Sequence, residues 1–471
     1  MSIFYITTTL PYVNGKPHVG FALEIVEADA IARYQSLLGK EVTFNTGTDE
    51  HGKKIFDEAK EKGMTPQAYC DEVSAHFRAL RELLNLSWTN FIRTTDEHHV
   101  RAAQEFWKRC DANGDIYKRH YQAKYCVGCE LEKTDSELSD GKCPIHPSRE
   151  IELIEEENYF FRFSKYGEAL LELYRSGSDF VMPKKRLNEI ESFVSRGLQD
   201  FSVSRVKEKM PWGIPVPGDD AHVMYVWFDA LVNYIAAIGW PADTGRFESL
   251  WPGVQIAGKD NLRPQAAMWQ AMLLSAKLPN SKKILINGFI NVNGQKMSKS
   301  LGNVISPAEL VERFGVDGTR YLLLSLGPIG EDFDITWEKL TEKYNADLAN
   351  GLGNLVSRVL KLWEKMEDGR WKMEDRGGFS REFETLLEEY RLSEGLECVW
   401  NIVREANRYI EETKPWELAK TNPEQFEAVM CKLLDDLAHI ASLLAPFLPE
   451  TAEKIKTMLK ERKGSILFQR L

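Results

Sequence analysis

At 471 residues, with 43% hydrophobic and 28% charged side chains, the chain has room for roughly two or three domains with sizeable cores, and no apolar run reaches the length of a bilayer span. A formal net charge of −11 gives no general attraction for nucleic acid, so such a partner would need a local basic surface. The N-terminal MSIFYITTTLPYVNG lacks a basic lead-in and meets a proline where a signal peptide would have small residues, which predicts a cytoplasmic chain entering its first strand at once.

Ile3–Thr8 is β-branched and aromatic, and residues 19–38 carry apolar side chains at helical spacing. Gly39 ends that helix and residues 41–45 form a second strand, so the chain opens as strand, helix, strand with a parallel sheet. From 118 to 217 the pattern breaks into short strands, Gly/Pro turns and clustered cysteines, which predicts an insertion. Apolar runs resume at 224–238. Strands follow at 254–257 and 284–286, ending in Gly258 and Gly288, and ligands gather beyond such strand ends in open parallel sheets. After 336 the apolar residues Leu348, Leu352, Leu355 and Val359, then Leu433, Leu437, Ile440 and Leu444, fall three and four apart, as in a helical bundle, with the Gly-rich stretch near Gly377 as an interhelical loop.

Three groups of residues carry chemistry. Pro17-His18-Val19-Gly20 sits where the first helix begins, and there free N–H groups, the helix dipole and an imidazole can hold an anion; a His-Gly pair alone is as readily a turn. Lys296-Met297-Ser298-Lys299-Ser300 lies between Gly294 and Gly302, so two compact cations flank a turn; the plain alternative is a solvated basic loop. Cys126-Val127-Gly128-Cys129 and Cys143-Pro144-Ile145-His146 supply four donors suited to tetrahedral Zn²⁺, leaving no open position and hence a structural role. The alternative is reduced thiols beside an unrelated histidine. Cys70, Cys110, Cys398 and Cys431 are scattered.

The lysine pentapeptide resembles the KMSKS signature of class I aminoacyl-tRNA synthetases, and residues 11–21 resemble their HIGH region. Thr46-Gly47-Thr48-Asp49-Glu50-His51-Gly52 and the stretch YVWFDALVNY at 225–234 resemble segments of the methionyl-tRNA synthetases. The likeness runs over essentially the whole chain. It implies a Rossmann-type catalytic domain at 1–117 and 218–336, with a stem-contacting link near 305–345. A connective insertion with a zinc knuckle would occupy 118–217, and a helical anticodon-binding domain 337–471. The implied activity is methionine activation by ATP, accompanied by Mg²⁺, and transfer to tRNA(Met), the initiator included, by a monomer.

The resemblance also implies roles. His18 and Gly20 would contact the phosphates, Phe21, Gly258 and Asp260 would complete the ATP site, and Lys296 and Lys299 would meet the departing pyrophosphate. Asp49 would bind the substrate ammonium. Leu10, Tyr12, Trp227, Ala230, Tyr234, Gln265 and Trp269 would line the thioether pocket, although for any one aromatic the core is the simpler assignment. Cys126, Cys129, Cys143 and His146 would form a single knuckle over the active site, and Asn354, Arg358 and Trp416, matching N-x-x-x-R and K-P-W elements, would read the CAU anticodon. Two departures stand out: Phe21 where the family usually has a polar residue, and Gln265 where it commonly has histidine. The rival readings are a class I synthetase for another apolar or thiol amino acid, and a tRNA-binding relative without activation, which Phe21 would favour.

Overall fold

The structure is a computed structural model that describes residues 2–128, 131–133, 135–297, 302–366, 371–372 and 379–471. Cys129, Lys299 and the loop around Gly377 lie outside the described residues.

Strand β1 (Ile3–Thr8) alternates its side chains between two cores: Phe4 and Ile6 face one, Tyr5 the other. It pairs in parallel with β2 (Glu41–Thr48) on one side, so that Ile6 lies opposite Phe44. With β3 (Asn90–Arg93), β4 (Val181–Met182), β5 (Val254–Gly258) and β6 (Lys283–Asn287) it makes a six-stranded sheet, ordered β3-β2-β1-β5-β6-β4 and parallel throughout. The chain order reverses at β1, and in such a sheet the usual place for a ligand is the crevice beyond the carboxyl ends of the strands at the reversal, here β1, β2 and β5. Edge strand β4 comes from within residues 118–217 and pairs Val181 with Ile284, so part of the stretch expected as insertion completes the main sheet. Two residues are too few to show a period in sequence.

Helix α1 (Val19–Leu37) crosses from β1 to β2 and is buried on all sides over residues 19–35, including Glu24, Glu27 and Asp29. The core it packs into continues without a break into the C-terminal helices, through Leu355, Val359, Leu433, Leu437, Ile440 and Leu444. Those residues are the ones whose spacing predicts the bundle, built from Asn354–Trp363, Arg381–Glu388, Leu392–Thr413, Pro415–Thr421, Pro423–Leu444 and Pro449–Glu461. Among the described residues no helix is long and apolar enough to cross a membrane.

A buried ion pair joins these parts. Asp29 meets the Arg320 guanidinium at 2.7 Å and accepts from Arg33 Nε (2.7 Å) and from the main chain and hydroxyl of Ser87 (2.5 and 2.6 Å). Arg320 in turn donates to the carbonyls of Phe447 (2.8 Å) and Leu84 (3.1 Å). Burial alone would raise the Asp29 carboxyl, but Arg320 and Arg33 hold it below the usual carboxylate range.

Ile116–Cys126 and Ile151–Phe161 form a long antiparallel ribbon, rooted at Ile116 and Phe161 in the second core and ending at Cys126. A small sheet of Ile290–Val292, Gln295–Lys296 and Phe333–Ile335 carries Lys296 to the cleft side.

Candidate active site

His18 is the N-cap of α1 in extended conformation, and its Nδ1 accepts the Gly20 N–H at 3.1 Å. With Nδ1 accepting, the neutral ring keeps its proton on Nε2, the atom suited to donate to an anion at the helix start. A Cβ on Gly20 would lie 3.0 Å from His18 Cε1 and 3.9 Å from Met297 Cε, so a side chain there would crowd the imidazole, and the two distant motifs meet at this point. Lys296 Nζ sits 4.6 Å from the centroid of the Phe289 ring, on which Lys259 also rests at 4.1 Å. Lys259 is tied to Asp332. Phe21 takes no part in this rim: its ring is buried, edge-on to Phe77 at 5.7 Å, so it can offer a nucleotide little beyond its main chain.

Beyond β5, a Cβ at Gly258 would fall 2.8 Å from Asp260 Oδ1. Two groups here were not singled out from sequence. Glu24 Oε1 accepts from the Thr9 N–H (2.8 Å) and hydroxyl (2.5 Å), and Glu27 accepts from Asn287 Nδ2 (2.5 Å) at the end of β6. Burial pushes each of these carboxyls up to about 8, with the Asp260 charge adding to the shift at Glu24. The available signal was acidic residues among the largely apolar side chains of residues 19–32. An acid raised in the folded state stabilises the fold below its ordinary value near 4.5, and that contribution drains away as pH climbs to about 8. Glu27→Gln, which keeps an acceptor for Asn287, should therefore gain stability relative to the parent between pH 5.5 and 8.5 in chemical denaturation. A pH-independent difference would refute the assignment.

On the other flank, Asp49 follows β2 and its main chain is locked both ways, its N–H donating to Pro11 O (3.0 Å) and its carbonyl accepting from Val13 (3.1 Å). This holds the buried carboxylate beside Tyr12, just past the carboxyl end of β2. Leu10 packs on the second core with Tyr234 and Trp269. Tyr234 meets the Trp269 indole edge-on at 6.0 Å, and Trp269 stacks behind it on Phe106 at 5.4 Å, fully buried. Gln265 lies on the widened helical turn Pro264–Met268 and donates to the Tyr234 hydroxyl. Trp227 and Ala230 ride on Val226–Leu231, which is fixed by buried Asp229: His51 Nδ1 stands 3.2 Å away and His99 Nε2 3.6 Å. Burial would raise that carboxyl, but His51 and His99 hold it low. His99, given no role from sequence, thus helps to fix the segment that carries Trp227 and Ala230.

At the ribbon tip, the ligand atoms of Cys126, Cys143 and His146 lie within 4.8 Å of one another. A tetrahedral zinc with bonds of ~2.0–2.3 Å asks for donors ~3.5–3.8 Å apart, so small inward shifts of these three groups would seat the ion. A Cβ on Gly128 would strike the His146 ring at 2.5 Å, which explains that glycine. Burial and then the charges of Lys54 and Lys296 hold the His146 imidazole low. Glu137, also on the tip, pairs with Arg263 at 3.0 Å beside the Gly258 loop.

In the bundle, Arg358 pairs with Glu411 at 2.7 Å and lies 5.9 Å over the Trp416 ring, while Asn354 is exposed one turn away. Left-handed Lys414 breaks the chain between Leu392–Thr413 and Pro415–Thr421 and sets Trp416 at that corner.

Comparison with known proteins bears on all three regions. The family model of class I tRNA synthetases (M) matches residues 4–151 and 136–360, and the model of the anticodon binding domain of methionyl tRNA ligase matches 372–467. The methionine–tRNA ligase of Brucella suis biovar 1 is 43% identical over 97% of this chain and 91% of its own length. That of Clostridium acetobutylicum is 41% identical over 97% and 73%. Mycobacterium tuberculosis methionyl-tRNA synthetase in complex with methionyl-adenylate superimposes with a TM-score of 0.92 at 37% identity, covering 97% of this chain and 94% of that one. Its apo form gives 0.85 at 32% identity, covering 100% and 98%.

Proposed function

The chain belongs to the class I methionyl-tRNA synthetases, and from that premise we propose that the cleft beyond β1, β2 and β5 activates methionine with ATP and passes it to tRNA(Met). The observation that carries this assignment is the meeting of His18 and Gly20 with Met297 at one end of the cleft while Asp49 holds the other. In the first step the methionine carboxylate attacks the α-phosphorus of ATP, forming the mixed anhydride and expelling pyrophosphate. In the second a terminal tRNA hydroxyl attacks the activated carbonyl and AMP leaves.

No enzyme nucleophile is needed, so the residues position and neutralise. His18 Nε2 and the N–H groups at the start of α1 meet phosphate oxygens, Lys296 and Lys299 the departing pyrophosphate. Gly258 and Asp260 border the adenosine, with Glu24 beside them. Asp49 takes the ammonium, and Tyr12, Leu10, Trp227, Ala230, Tyr234 and Gln265 surround the thioether with Trp269 behind. Mg²⁺ would enter with ATP and offset its phosphate charge. Packing of Phe21 into the core leaves the adjacent His18 geometry intact, which weighs against a relative that has lost activation.

ATP–pyrophosphate exchange across a panel of amino acids tests the assignment: exchange with methionine alone supports it, and exchange with another amino acid or with none overturns it. Cys126, Cys143 and His146, with Cys129, would hold one structural zinc. Metal analysis of protein purified without chelator should return about one zinc per chain, lost in Cys143→Ala, given four protein donors. For the anticodon, Trp416→Ala should cut aminoacylation by roughly 10-fold or more through lost base stacking of ~1–3 kcal/mol while exchange is kept. Equal aminoacylation by the variant would remove Trp416 from the interface.

A further inference from the structure

Behind the pocket five buried polar side chains form one directed line: Gln270, Ser281, Gln255, Gln265 and Tyr234. At the far end, the main-chain N–H of Ser281 and Asn280 Nδ2 both donate to Gln270 Oε1, each at 3.1 Å. Gln270 Nε2 donates to the main-chain carbonyl of Gln265 (2.9 Å) and to Ser281 Oγ (3.0 Å). A main-chain N–H only donates and a carbonyl only accepts, so the Gln270 amide has one permitted orientation. Ser281 Oγ, having accepted, gives its own proton to Gln255 Oε1, and Gln255 Nε2 donates to Gln265 Oε1 at 3.1 Å. Gln265 Nε2 is thereby aimed at Tyr234, whose oxygen accepts.

Reversing the last two amides would make Ser281 Oγ accept from both Gln270 and Gln255 and take away the acceptor that its own buried proton has in Gln255 Oε1, at the cost of an unsatisfied donor. The direction is therefore imposed from the protein backbone. Burial, reinforced by the nearby Glu24 and Asp49 carboxyls, keeps the Tyr234 phenol protonated. Since its oxygen already accepts from Gln265, its O–H is left to point away from that amide.

We infer that Gln255 is a specificity-determining positioning residue: by fixing the Gln265 amide it obliges Tyr234 to act as a donor, which favours a thioether sulfur over a methylene of the same shape. This rests on the assignment of Tyr234 to the methionine pocket. Gln255 itself lies on β5, one residue past Val254, and reaches Tyr234 only through Gln265. The histidine common at position 265 in the resembling family titrates near neutrality; a glutamine held at both ends keeps one polarity at every working pH.

The test is the ratio of kcat/KM for L-methionine to that for L-norleucine in ATP–pyrophosphate exchange, a quantity independent of the fraction of protein that is folded. In Gln255→Met the ratio should fall about five- to tenfold, a size set by one net hydrogen bond. The loss should fall on KM for methionine, with kcat little changed. Ser281→Ala, a smaller disturbance, should move the ratio in the same direction. Tyr234→Phe should lower it as well, and adding Gln255→Met to that variant should lower it no further. Unchanged ratios in both Gln255→Met and Ser281→Ala overturn the inference, as does additivity in the double variant. Absence of methionine-dependent exchange in the unaltered protein would instead overturn the functional assignment, and the inference with it.

Discussion

Asp49→Asn is expected to lower kcat/KM for methionine by about 10²- to 10³-fold, because removing one member of a buried ion pair costs ~3–5 kcal/mol and each ~1.4 kcal/mol is a factor of ten. The side chain is nearly isosteric and its main chain stays fixed by Pro11 and Val13, so the fold should not change. Asparagine can still accept a hydrogen bond from an ammonium, but it carries no charge to offset it, and the site is buried enough that water does not make up the difference. The Michaelis constant for ATP should move little, since the nucleotide motifs lie on the other strands. Exchange kinetics at saturating ATP give both numbers. A methionine KM within about twofold of the parent would place the ammonium elsewhere.

The second large effect is on stability. Arg320→Met should cost about 3–5 kcal/mol in chemical denaturation, because Asp29 would keep its charge in the core with only Arg33 opposing it. The same change frees the carbonyls of Phe447 and Leu84 inside the protein, and each buried acceptor left unsatisfied adds ~1–3 kcal/mol. Arg320→Lys should recover little of this, since a single ammonium cannot reach the carboxylate and both carbonyls together. A loss under about 1 kcal/mol would show that the junction relaxes or admits water.

Much of the fold was readable because period and punctuation agreed. Ile3–Thr8, Gly39 and the helix between them define the first crossover without ambiguity, and the three-and-four spacing from Leu348 onward names the bundle residues that are in fact buried. The histidine, lysine and cysteine motifs stand out as short runs of chemically unusual neighbours, and the structure brings Met297 to Gly20 and gathers Cys126, Cys143 and His146. What stayed hidden has a common cause. Asp229 finds His51 and His99, Asp29 finds Arg320, and Gln255 finds Ser281 and Gln265, and none of these pairings leaves a mark in local spacing. Glu24 and Glu27 belong to no motif, and local spacing does not show that their helix is buried on every side. Phe21 is a further case: its departure from the motif is plain in sequence, but its packing against Phe77 on the helix Pro66–Arg78 is not.

The clamp on Asp29 also sets an angular tolerance. Asp29 stands eleven residues along α1 from His18, a lever of ~16 Å at ~1.5 Å per residue. Rocking that rod by only ~3–4° about the clamp would carry the imidazole ~1 Å sideways, a misplacement that can cost ~10²-fold in rate. Anchorage from Ser87, Arg33 and Arg320 together, with Arg320 braced on Phe447 of the helical domain, thus works as an alignment bearing for the nucleotide end of the cleft.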